Sequence, residues 1–358
     1  MTKVTIGKVF VPGGMPELTY VPRTERHLET TLGEVEDNLC KLVVVTGATK
    51  TGKTVLVRKV LDNGRSIVWL DGGLIASESD FWHECLRALG ADLVVEREDG
   101  QKSASGDKVG GRASAKLLGI GLSTNAEVNS GKENTTKTKV SPTGTLARRA
   151  IEAMKAYQSI LVVDDFHYLP RDLQGKVVRS LKGEIFKGFP AVVIAIPHRR
   201  YDAVRVEREM NGRLEPIKVP EWSIDELMEI PSKGFPLLGM SISGALSQSL
   251  ASEAYGSPHL MQEFCKELAK NTERSNSDDA DANFDKNIFI KIGEHTGRIV
   301  FDKLASGPRQ RTDRKARRLS SGGEADIYRV VLMALSRIEP GMKRINYETL
   351  RGAIRVIY

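Results

Sequence analysis

The sequence predicts an α/β fold in which a parallel sheet is followed by a helical region. Five short, largely apolar segments, each bounded by turn-forming residues, alternate with helix-like stretches over residues 1–220. Continuous apolar strands separated by helices are typical of a parallel sheet that is covered on both faces. Beyond residue 221 the apolar residues recur at helical spacing, so a helical region is expected to follow the sheet.

The composition is that of an ordinary globular protein. Of 358 residues, 40% are hydrophobic and 28% are charged. No apolar run reaches the roughly 18 residues of a transmembrane helix, and the N-terminal segment lacks the apolar core of a signal peptide. Cys40, Cys85 and Cys265 form no CxxC pair, which argues against a disulfide framework or a zinc ribbon. We therefore expect a cytoplasmic protein that does not bind a membrane.

The net charge of +7 is concentrated in one part of the chain. Residues 286–358 contain 16 Lys and Arg against 7 Asp and Glu, whereas residues 1–285 are slightly acidic. A basic segment of this kind indicates an acidic partner such as nucleic acid, although a solvated basic surface is the commoner explanation.

The N-terminal half contains the first two strands of the predicted sheet. In chain order we expect a helix within 20–37, a strand at 42–45, a helix at 53–61, a strand at 66–73 and a helix from about Ser79. Residues 96–145 then change abruptly to Gly, Ser, Thr, Asn and Lys, and a structureless loop of this length is rare inside a compact domain. We predict a flexible insertion or a projecting hairpin, in either case outside the core.

The second half completes the sheet and then becomes helical. We expect a helix at 146–157, a strand at 159–165, a helix at 173–186 and strands at 191–197 and 214–220. Residues 222–271 look helical, and Ser223 with Glu226 forms the capping box that begins them. After a polar break at 271–283, further helices are expected at 326–338 and 346–357. The predicted domains are a core at 1–221, a helical lid at 222–272 and a basic C-terminal region at 284–358.

The segment between the first strand and its helix carries a phosphate-binding motif. Residues 47–54 satisfy the pattern G-x-x-x-x-G-K-[ST] in the strand–loop–helix context that the motif requires. Its glycines let backbone N–H groups point at phosphate oxygens, Lys53 approaches the β- and γ-phosphates, and the Thr54 hydroxyl ligates Mg²⁺. The predicted nucleotide contacts are Gly47, Ala48, Thr49, Lys50, Thr51, Gly52, Lys53, Thr54 and Val55.

A pair of acidic residues follows the third apolar segment, in "ILVVDD". Asp164 is the candidate Mg²⁺ ligand, and Asp165 is the candidate group that polarises a water for attack on the γ-phosphate. We expect their strand to lie next to the strand that precedes the phosphate-binding loop. A helix-capping role is the alternative for Asp165, and His167 is expected to shape the following loop.

These segments resemble the motifs of P-loop ATPases of the additional-strand group, in the branch that contains the AAA+ ATPases and the STAND signalling ATPases. "TGATKTGKT" resembles the Walker A motif and "ILVVDD" the Walker B motif. "AVVIAIPHRR" resembles the end of the sensor-1 strand, "NGRLEPIKVP" the arginine-finger box, and "AYGSPHLMQEF" the GxP element of the STAND helical domain. The resemblance spans residues 20–268 and implies binding of ATP with Mg²⁺, ATP hydrolysis and assembly into a homo-oligomer.

The resemblance also implies roles for residues outside the Walker motifs. Arg199 or Arg200 would contact the γ-phosphate side, and Arg213 would be the finger whose planar fork stabilises charge on the transferring oxygens. An ordinary surface salt bridge is the alternative for Arg199 and Arg213. Pro258 would read the nucleotide from the lid. The adenine side would be lined by Tyr20, Val21 and Arg23.

Two departures from the family pattern favour a slow, switching ATPase over a processive motor. Asp165 stands where AAA+ proteins usually have glutamate, so its carboxylate lies farther from the attacking water. Pro258 stands where many of them have a sensor-2 arginine nearby. In the STAND family, exchange of ADP for ATP moves the lid and exposes an assembly surface.

The C-terminal region resembles the opening of a winged helix, as in initiator-type and STAND ATPases, but no wing follows its last two helices. An incomplete module and a helix pair that packs on the lid are both consistent with this pattern. A basic segment precedes the two helices and suits phosphate contacts that do not read sequence, although a flexible linker explains it nearly as well. Its basic residues are Arg309, Arg311, Arg314, Lys315, Arg317 and Arg318.

Three functions fit these observations. The first is a nucleotide-dependent switch that oligomerises and regulates a separate protein effector. The second is a DNA-associated ATPase of the initiator-loader or transposition-regulator kind, and the third is a passive nucleotide-binding scaffold. ATP is favoured over GTP by the family resemblance alone, and packing roles are expected for Trp69, Trp82 and Trp222.

Overall fold

The computed structural model describes residues 4–37, 40–62, 64–90, 145–196, 212–307, 315–338 and 345–358. Arg199, Arg200 and, apart from Thr145, the predicted insertion at 96–145 lie outside the described residues. The chain divides into two compact units. The first consists of Met1–Gly33, Val45–Val60 and Pro216–Tyr358, and the second of Glu34–Val44 and Leu61–Glu215. The domain limits derived from the sequence stay predictions.

The described helices and strands are numbered here in chain order. The helices are α1 (Ile6–Val9), α2 (Leu28–Gly33), α3 (Lys53–Leu61), α4 (Glu78–Ala88), α5 (Leu146–Ala156), α6 (Arg171–Phe186), α7 (Ile224–Leu237), α8 (Gly244–Glu253), α9 (Pro258–Arg274), α10 (Asn287–Ser306), α11 (Ile327–Leu335) and α12 (Tyr347–Arg355). The strands are β1 (Leu42–Thr46), β2 (Ile67–Asp71), β3 (Ile160–Asp164), β4 (Ala191–Ala195), β5 (Leu214–Lys218), β6 (Arg317–Arg318) and β7 (Glu324–Ala325).

A parallel sheet in the order β2-β3-β4-β1-β5 confirms the predicted α/β fold class, and all five strands contribute residues to the second unit. Every residue of β1 and β4 is buried, whereas the edge strands β2 and β5 expose part of theirs. The expectation that β3 lies next to β1 is wrong, because β4 lies between them. Since β1, β3 and β4 are all short apolar runs, their composition does not determine their order.

Helices α4, α5 and α6 bury an apolar cluster with the strands of the second unit. Helix α4 begins with a capping box in which the Ser77 side chain accepts from the backbone N–H of Asp80 and the Asp80 side chain accepts from that of Ser77. Trp82 is 1% exposed and packs edge-on against Phe81, as expected of a packing residue. Cys85 lies in the same cluster, where burial raises the pKa of its thiol.

The main apolar cluster of the first unit joins the N-terminal segment to helices α7, α8 and α9, which lie in the region predicted to be the lid. Phe10 is fully buried and its ring centroid lies 5.2 Å from that of Phe235 on α7. Gly234 lets the two segments approach, because a Cβ there would stand 2.3 Å from the Phe10 ring. The helical character predicted for residues 222–271 is confirmed, even though α7 contains Pro231 and Pro236.

A separate small cluster forms the C-terminal part of the first unit, where α11 and α12 confirm the two predicted helices. A short antiparallel ribbon, not predicted from the sequence, precedes them and pairs Arg318 with Glu324. Its turn contains Gly322 and Gly323, both with positive φ, which is the conformation that glycine favours. Among the described residues, no helix is both long and apolar enough to cross a membrane.

Candidate functional site

The loop between β1 and α3 folds around the backbone carbonyl of Ala48. The Thr51 hydroxyl and the Lys53 ammonium group both donate to this oxygen, each at 2.8 Å. Lys50 and Gly52 have positive φ values of 65° and 88°, which turn the chain sharply before α3 begins at Lys53. These bonds hold the Lys53 ammonium group over the loop, where the Walker A resemblance places it.

The two motif glycines serve different needs. A Cβ on Gly47 would stand 2.6 Å from the carbonyl oxygen of Val219, so this position requires the absence of a side chain. A Cβ on Gly52 would meet no atom within 4 Å, but its φ of +88° is one that other residues rarely adopt. Close approach explains the first glycine and backbone conformation explains the second.

Tyr20 and Val21, predicted on the adenine side, lie in the same unit as the loop. The Tyr20 hydroxyl donates to Glu29 at 2.9 Å, and the Lys59 ammonium group lies 5.7 Å from its ring centroid. Burial, followed by the nearby Glu29 carboxylate, raises the pKa of the Tyr20 hydroxyl. Val21 is buried in the same apolar cluster as helices α7, α8 and α9. An adenine contact for Tyr20 or Val21 stays a prediction.

Arg23, also predicted on the adenine side, is buried and directs its guanidinium group into the protein. It donates to the carbonyl oxygens of Pro220 at 2.9 Å and Glu221 at 3.1 Å, and twice to the Glu226 carboxylate at 3.0 Å. Burial alone would raise the pKa of Glu226, but the hydrogen bonds from Arg23 lower it. Glu226 also completes the predicted capping box with Ser223, which is confirmed. Its second role, as the partner of Arg23, carries no signal in the sequence.

Trp222 connects the loop to the start of helix α9. Its indole Nε1 donates to the carbonyl oxygen of Thr51 at 3.0 Å, and its backbone N–H donates to the carbonyl oxygen of Gly256 at 3.2 Å. A packing role was expected for this half-buried residue, and the sequence gives no sign of the bond across 171 positions. The predicted lid contact Pro258 is the first residue of α9.

His259, which follows Pro258, was not singled out in the sequence. Burial, together with the positive charge of Lys50, lowers the pKa of its imidazole. The bonds from Trp222 to Thr51 and to Gly256 place the turn before α9 near the phosphate-binding loop within the first unit. The sequence alone does not indicate that a histidine in this position lies near the phosphate-binding loop.

The acidic pair lies at the end of β3 in the second unit, where Asp164 is the register partner of Asp71. Asp165 adopts a left-handed conformation and its backbone N–H donates to the Asp164 carboxylate at 2.9 Å. Its own carboxylate is about half exposed and makes no capping bond to the turn that follows, which argues against the helix-capping alternative. The imidazole Nδ1 of His167 lies 3.9 Å from this carboxylate, and the ring itself is buried.

Arg213, the predicted arginine finger, immediately precedes β5. Its guanidinium carbon lies 4.9 Å from the ring centroid of Phe186, and its carbonyl oxygen accepts from the backbone N–H of Leu42 at 2.9 Å. These contacts hold its backbone in the sheet and its side chain over an aromatic ring. Its role as a finger stays a prediction.

The start of the helix that follows the loop is suited to binding a chain of phosphates. Helix α3 follows it directly and has no acidic residue in its first turn, so no carboxylate offsets the positive end of the helix. In the part of the chain that the structure describes, no cluster of three or more His, Cys, Asp and Glu side chains is arranged to hold a metal. This finding does not conflict with Mg²⁺, because magnesium that accompanies phosphates takes only one or two protein carboxylates.

Comparison with solved structures identifies the fold. Cdc6p from Pyrobaculum aerophilum superposes with a TM-score of 0.52 at 13% identity, covering 98% of this chain and 83% of that one. The chain has the fold of an AAA+-type P-loop ATPase. The Walker-type ATPase PABY2304 of Pyrococcus abyssi shares this fold with a TM-score of 0.51 at 13% identity, over 94% of this chain and 89% of that one.

The ORC2 protein of Aeropyrum pernix, solved in ADPNP and ADP complexes, also shares the AAA+-type fold. Its TM-score is 0.51 at 12% identity, over 97% of this chain and 82% of that one. No protein-family model and no curated protein sequence matches the chain. At these identities the likeness establishes the fold, and the activity has to be argued from the residues of this chain.

Proposed function

We propose that the chain binds ATP with Mg²⁺ and hydrolyses it slowly, as a cytoplasmic, AAA+/STAND-type switch that oligomerises and regulates a separate protein effector. The observation that carries this proposal is the loop at residues 47–54. It combines two structurally required glycines, a lysine held over the loop and a helix that begins without a carboxylate. This combination favours binding of a polyphosphate over any other ligand class.

In this proposal each predicted site residue has a role in phosphate binding, Mg²⁺ binding or hydrolysis. Lys53 and the loop N–H groups bind the phosphates and Thr54 ligates Mg²⁺, while the roles of Asp164 as a second Mg²⁺ ligand and of Asp165 as the group that orients the attacking water follow from the Walker B resemblance. When bound, Mg²⁺ neutralises charge on the phosphate oxygens. Arg213, supplied by a neighbouring copy, would stabilise the charge that develops during transfer. The adenine and sensor contacts, Tyr20 and Arg199, follow from the family resemblance.

A switch is favoured over a motor for two reasons. Aspartate in place of glutamate at position 165 keeps the carboxylate farther from the water, which slows hydrolysis and prolongs the ATP-bound state. Trp222 joins the loop to the turn before Pro258, so a change in the loop has a direct route to the lid. Both features suit a protein whose nucleotide state lasts long enough to be recognised by a partner.

The test of nucleotide binding compares Lys53→Ala with Lys176→Ala, an exposed lysine on α6. Calorimetry should show ATP binding by the wild type and the Lys176 variant, and a loss of at least about tenfold in affinity for the Lys53 variant. Equal ATP affinity in all three proteins would remove the proposal.

Turnover and assembly test the remaining parts. Asp165→Asn should abolish phosphate release while ATP still binds, because the amide is a poor proton acceptor. Unchanged turnover would exclude the role of Asp165.

Sedimentation of the wild type should show a larger species with ATP than with ADP. An equal distribution with both nucleotides would exclude the oligomerising switch.

A DNA-associated ATPase is the second candidate, and the charge of the C-terminal region favours it. Among the described residues there, Lys315, Arg317 and Arg318 are exposed on or beside the ribbon, and Arg351 and Arg355 are exposed on α12. Phosphate-driven binding should weaken steeply with salt. If duplex DNA neither binds at about 150 mM salt nor stimulates hydrolysis, this candidate fails.

A further inference from the structure

The indole of Trp222 holds one end of a peptide group in the phosphate-binding loop. Its Nε1 donates to the carbonyl oxygen of Thr51 at 3.0 Å, and Thr51 is the residue before the motif glycine Gly52. Trp222 itself lies between β5 and α7, far from the loop in sequence. The contact is therefore a tertiary bond to the main chain of the loop rather than part of its local turn.

This bond determines where a neighbouring N–H group points. The Thr51 carbonyl and the Gly52 N–H belong to one peptide plane and, since none of the described peptide bonds is cis, they point in opposite directions. Gly52 has no side chain and nothing within 4 Å of where a Cβ would stand, so sterics oppose rotation of this plane only weakly. The indole supplies a restraint that the glycine itself lacks.

Two further contacts restrain Trp222, one at its ring and one at its backbone. The guanidinium carbon of Arg23 lies 5.0 Å from the Trp222 ring centroid, while the same group holds the carbonyl oxygens of Pro220 and Glu221. At the backbone, the N–H of Trp222 donates to the carbonyl oxygen of Gly256 at 3.2 Å, and a Cβ on Gly256 would stand 3.3 Å from the Trp222 carbonyl oxygen. A shift of the Gly256 turn would therefore displace Trp222.

We propose that Trp222 is a positioning residue that orients the Gly52 N–H toward the bound phosphates and couples this orientation to the Gly256 turn at the start of α9. The proposal rests on the proposed nucleotide binding and adds the element through which the loop and the lid communicate. Loss of the indole N–H leaves the phosphate-binding residues in place but lets the Thr51–Gly52 peptide rotate.

The test uses Trp222→Phe in the full chain, with Trp69→Phe on β2 as the matched control. Phenylalanine keeps an aromatic ring beside Arg23 but removes the N–H donor and is smaller than indole, and the Trp69 control carries the same loss of ring size. We expect the Kd for ADP to rise about 3- to 10-fold in Trp222→Phe, the range for one lost hydrogen bond, and to stay unchanged in the control. Adenosine, which has no phosphates, should bind both variants as it binds the wild type.

Amide hydrogen exchange without nucleotide provides a readout that does not depend on activity. Exchange in peptides covering residues 51–56 should be faster in Trp222→Phe than in the wild type. Peptides covering residues 254–258 should be unchanged, because the bond from the Trp222 backbone to Gly256 does not involve the side chain. Trp222→Met, which also lacks a donor and fills irregular space, repeats the comparison if the phenylalanine variant is poorly folded.

The outcomes separate the inference from the function on which it rests. Unchanged ADP affinity and unchanged loop exchange in Trp222→Phe, with a wild type that binds ADP, would overturn the role of Trp222 and leave nucleotide binding intact. A wild type that binds neither ADP nor ATP would overturn both. Weaker binding of ADP and adenosine alike, with no change in loop exchange, would assign Trp222 to general packing and overturn the inference.

Discussion

Gly47 is a residue at which the phosphate-binding loop passes close to another backbone segment. A Cβ there would stand 2.6 Å from the carbonyl oxygen and 3.1 Å from the Cβ of Val219. Neither atom can move by a change of rotamer, so an added methyl group must displace the loop itself.

Gly47→Ala should therefore weaken ATP binding by about tenfold or more, corresponding to strain of about 1–3 kcal/mol. Calorimetric titration measures the effect. Gly183→Ala on α6 is the control, because nothing lies within 4 Å of where its Cβ would stand and alanine has a higher helix propensity than glycine. ATP affinity that is equal in the two variants would show that the loop tolerates the methyl group.

The Arg23–Glu226 pair is the second feature that belongs to the residue scale. The side chain of Arg23 is 4% exposed and that of Glu226 is 18% exposed. Glu226→Gln keeps a side chain that can cap α7 but removes the negative charge beside a buried guanidinium group. We expect a loss of about 2 kcal/mol in the free energy of unfolding at pH 7, measured in urea.

The same variant should show a defined pH dependence. The pKa of Glu226 is lowered from its ordinary value of 4.5 in the folded state, so the folded protein favours the charged carboxylate. Its contribution is therefore complete above pH 4.5 and is lost as the pH falls through the lower, folded pKa. The stability difference between wild type and Glu226→Gln should shrink in that acid range, and a constant difference would contradict the assignment.

At the scale of elements, helix α7 depends on its N-terminal cap. The Ser223 hydroxyl accepts from the backbone N–H of Glu226 at 3.1 Å, while the Glu226 carboxylate accepts from that of Ser223 at 2.7 Å. Two interior prolines remove backbone donors from this helix, so its first turn matters more than in an uninterrupted helix.

Ser223→Ala should lower the free energy of unfolding by about 1 kcal/mol. Ser232→Ala on the same helix is the control, since its exposed hydroxyl only donates back to the Glu229 carbonyl, and its effect should stay within about 0.5 kcal/mol. Chemical denaturation of both variants makes the comparison. Equal effects would show that the capping box does not stabilise α7.

Local patterns predicted the elements better than they predicted the partners of the elements. Apolar runs located the five strands, and the spacing of Ser223 and Glu226 located the start of α7. The position of β4 between β1 and β3 was missed, because three apolar strands of equal length compete for the same places. The ribbon at 317–325 was missed because two-residue strands have too few positions to show alternation.

The candidate site shows the same division. The Walker A motif located the loop because its chemistry restricts several neighbouring residues. Arg23 and Trp222 were not recognised as parts of one cluster, since their partners are chosen by tertiary packing. A single arginine or tryptophan has the same appearance in sequence whether it faces a ligand, a carboxylate or a backbone carbonyl.

At the scale of the whole molecule, the C-terminal region differs from the rest of the chain in its apolar core and in its charge. The apolar cluster of the lid and the small C-terminal cluster share no residue, so the C-terminal region has a core of its own. Residues 308–358 contain 12 Lys and Arg against 5 Asp and Glu, so the whole excess of +7 lies there and residues 1–307 are neutral.

A chain that ends at Gly307 should therefore keep ATP affinity within about twofold of the full chain. If the second candidate function holds, the same truncation removes the salt-dependent affinity for DNA. Calorimetry and DNA titrations at several salt concentrations measure the two properties. Loss of ATP binding on truncation would show that the C-terminal region supports the nucleotide site.

The two bonds of Trp222 also bear on how this protein can vary. Its backbone bond to Gly256 can be made by almost any residue, but keeping both the contact of its ring with Arg23 and its bond to Thr51 needs an aromatic ring that carries an N–H. A single base change in a tryptophan codon gives arginine, glycine, leucine, serine, cysteine or a stop, and none of these preserves that group. No single base change at position 222 is therefore expected to keep both the ring and its N–H. Related chains that lose the indole should carry a second change in the loop that restrains the same peptide.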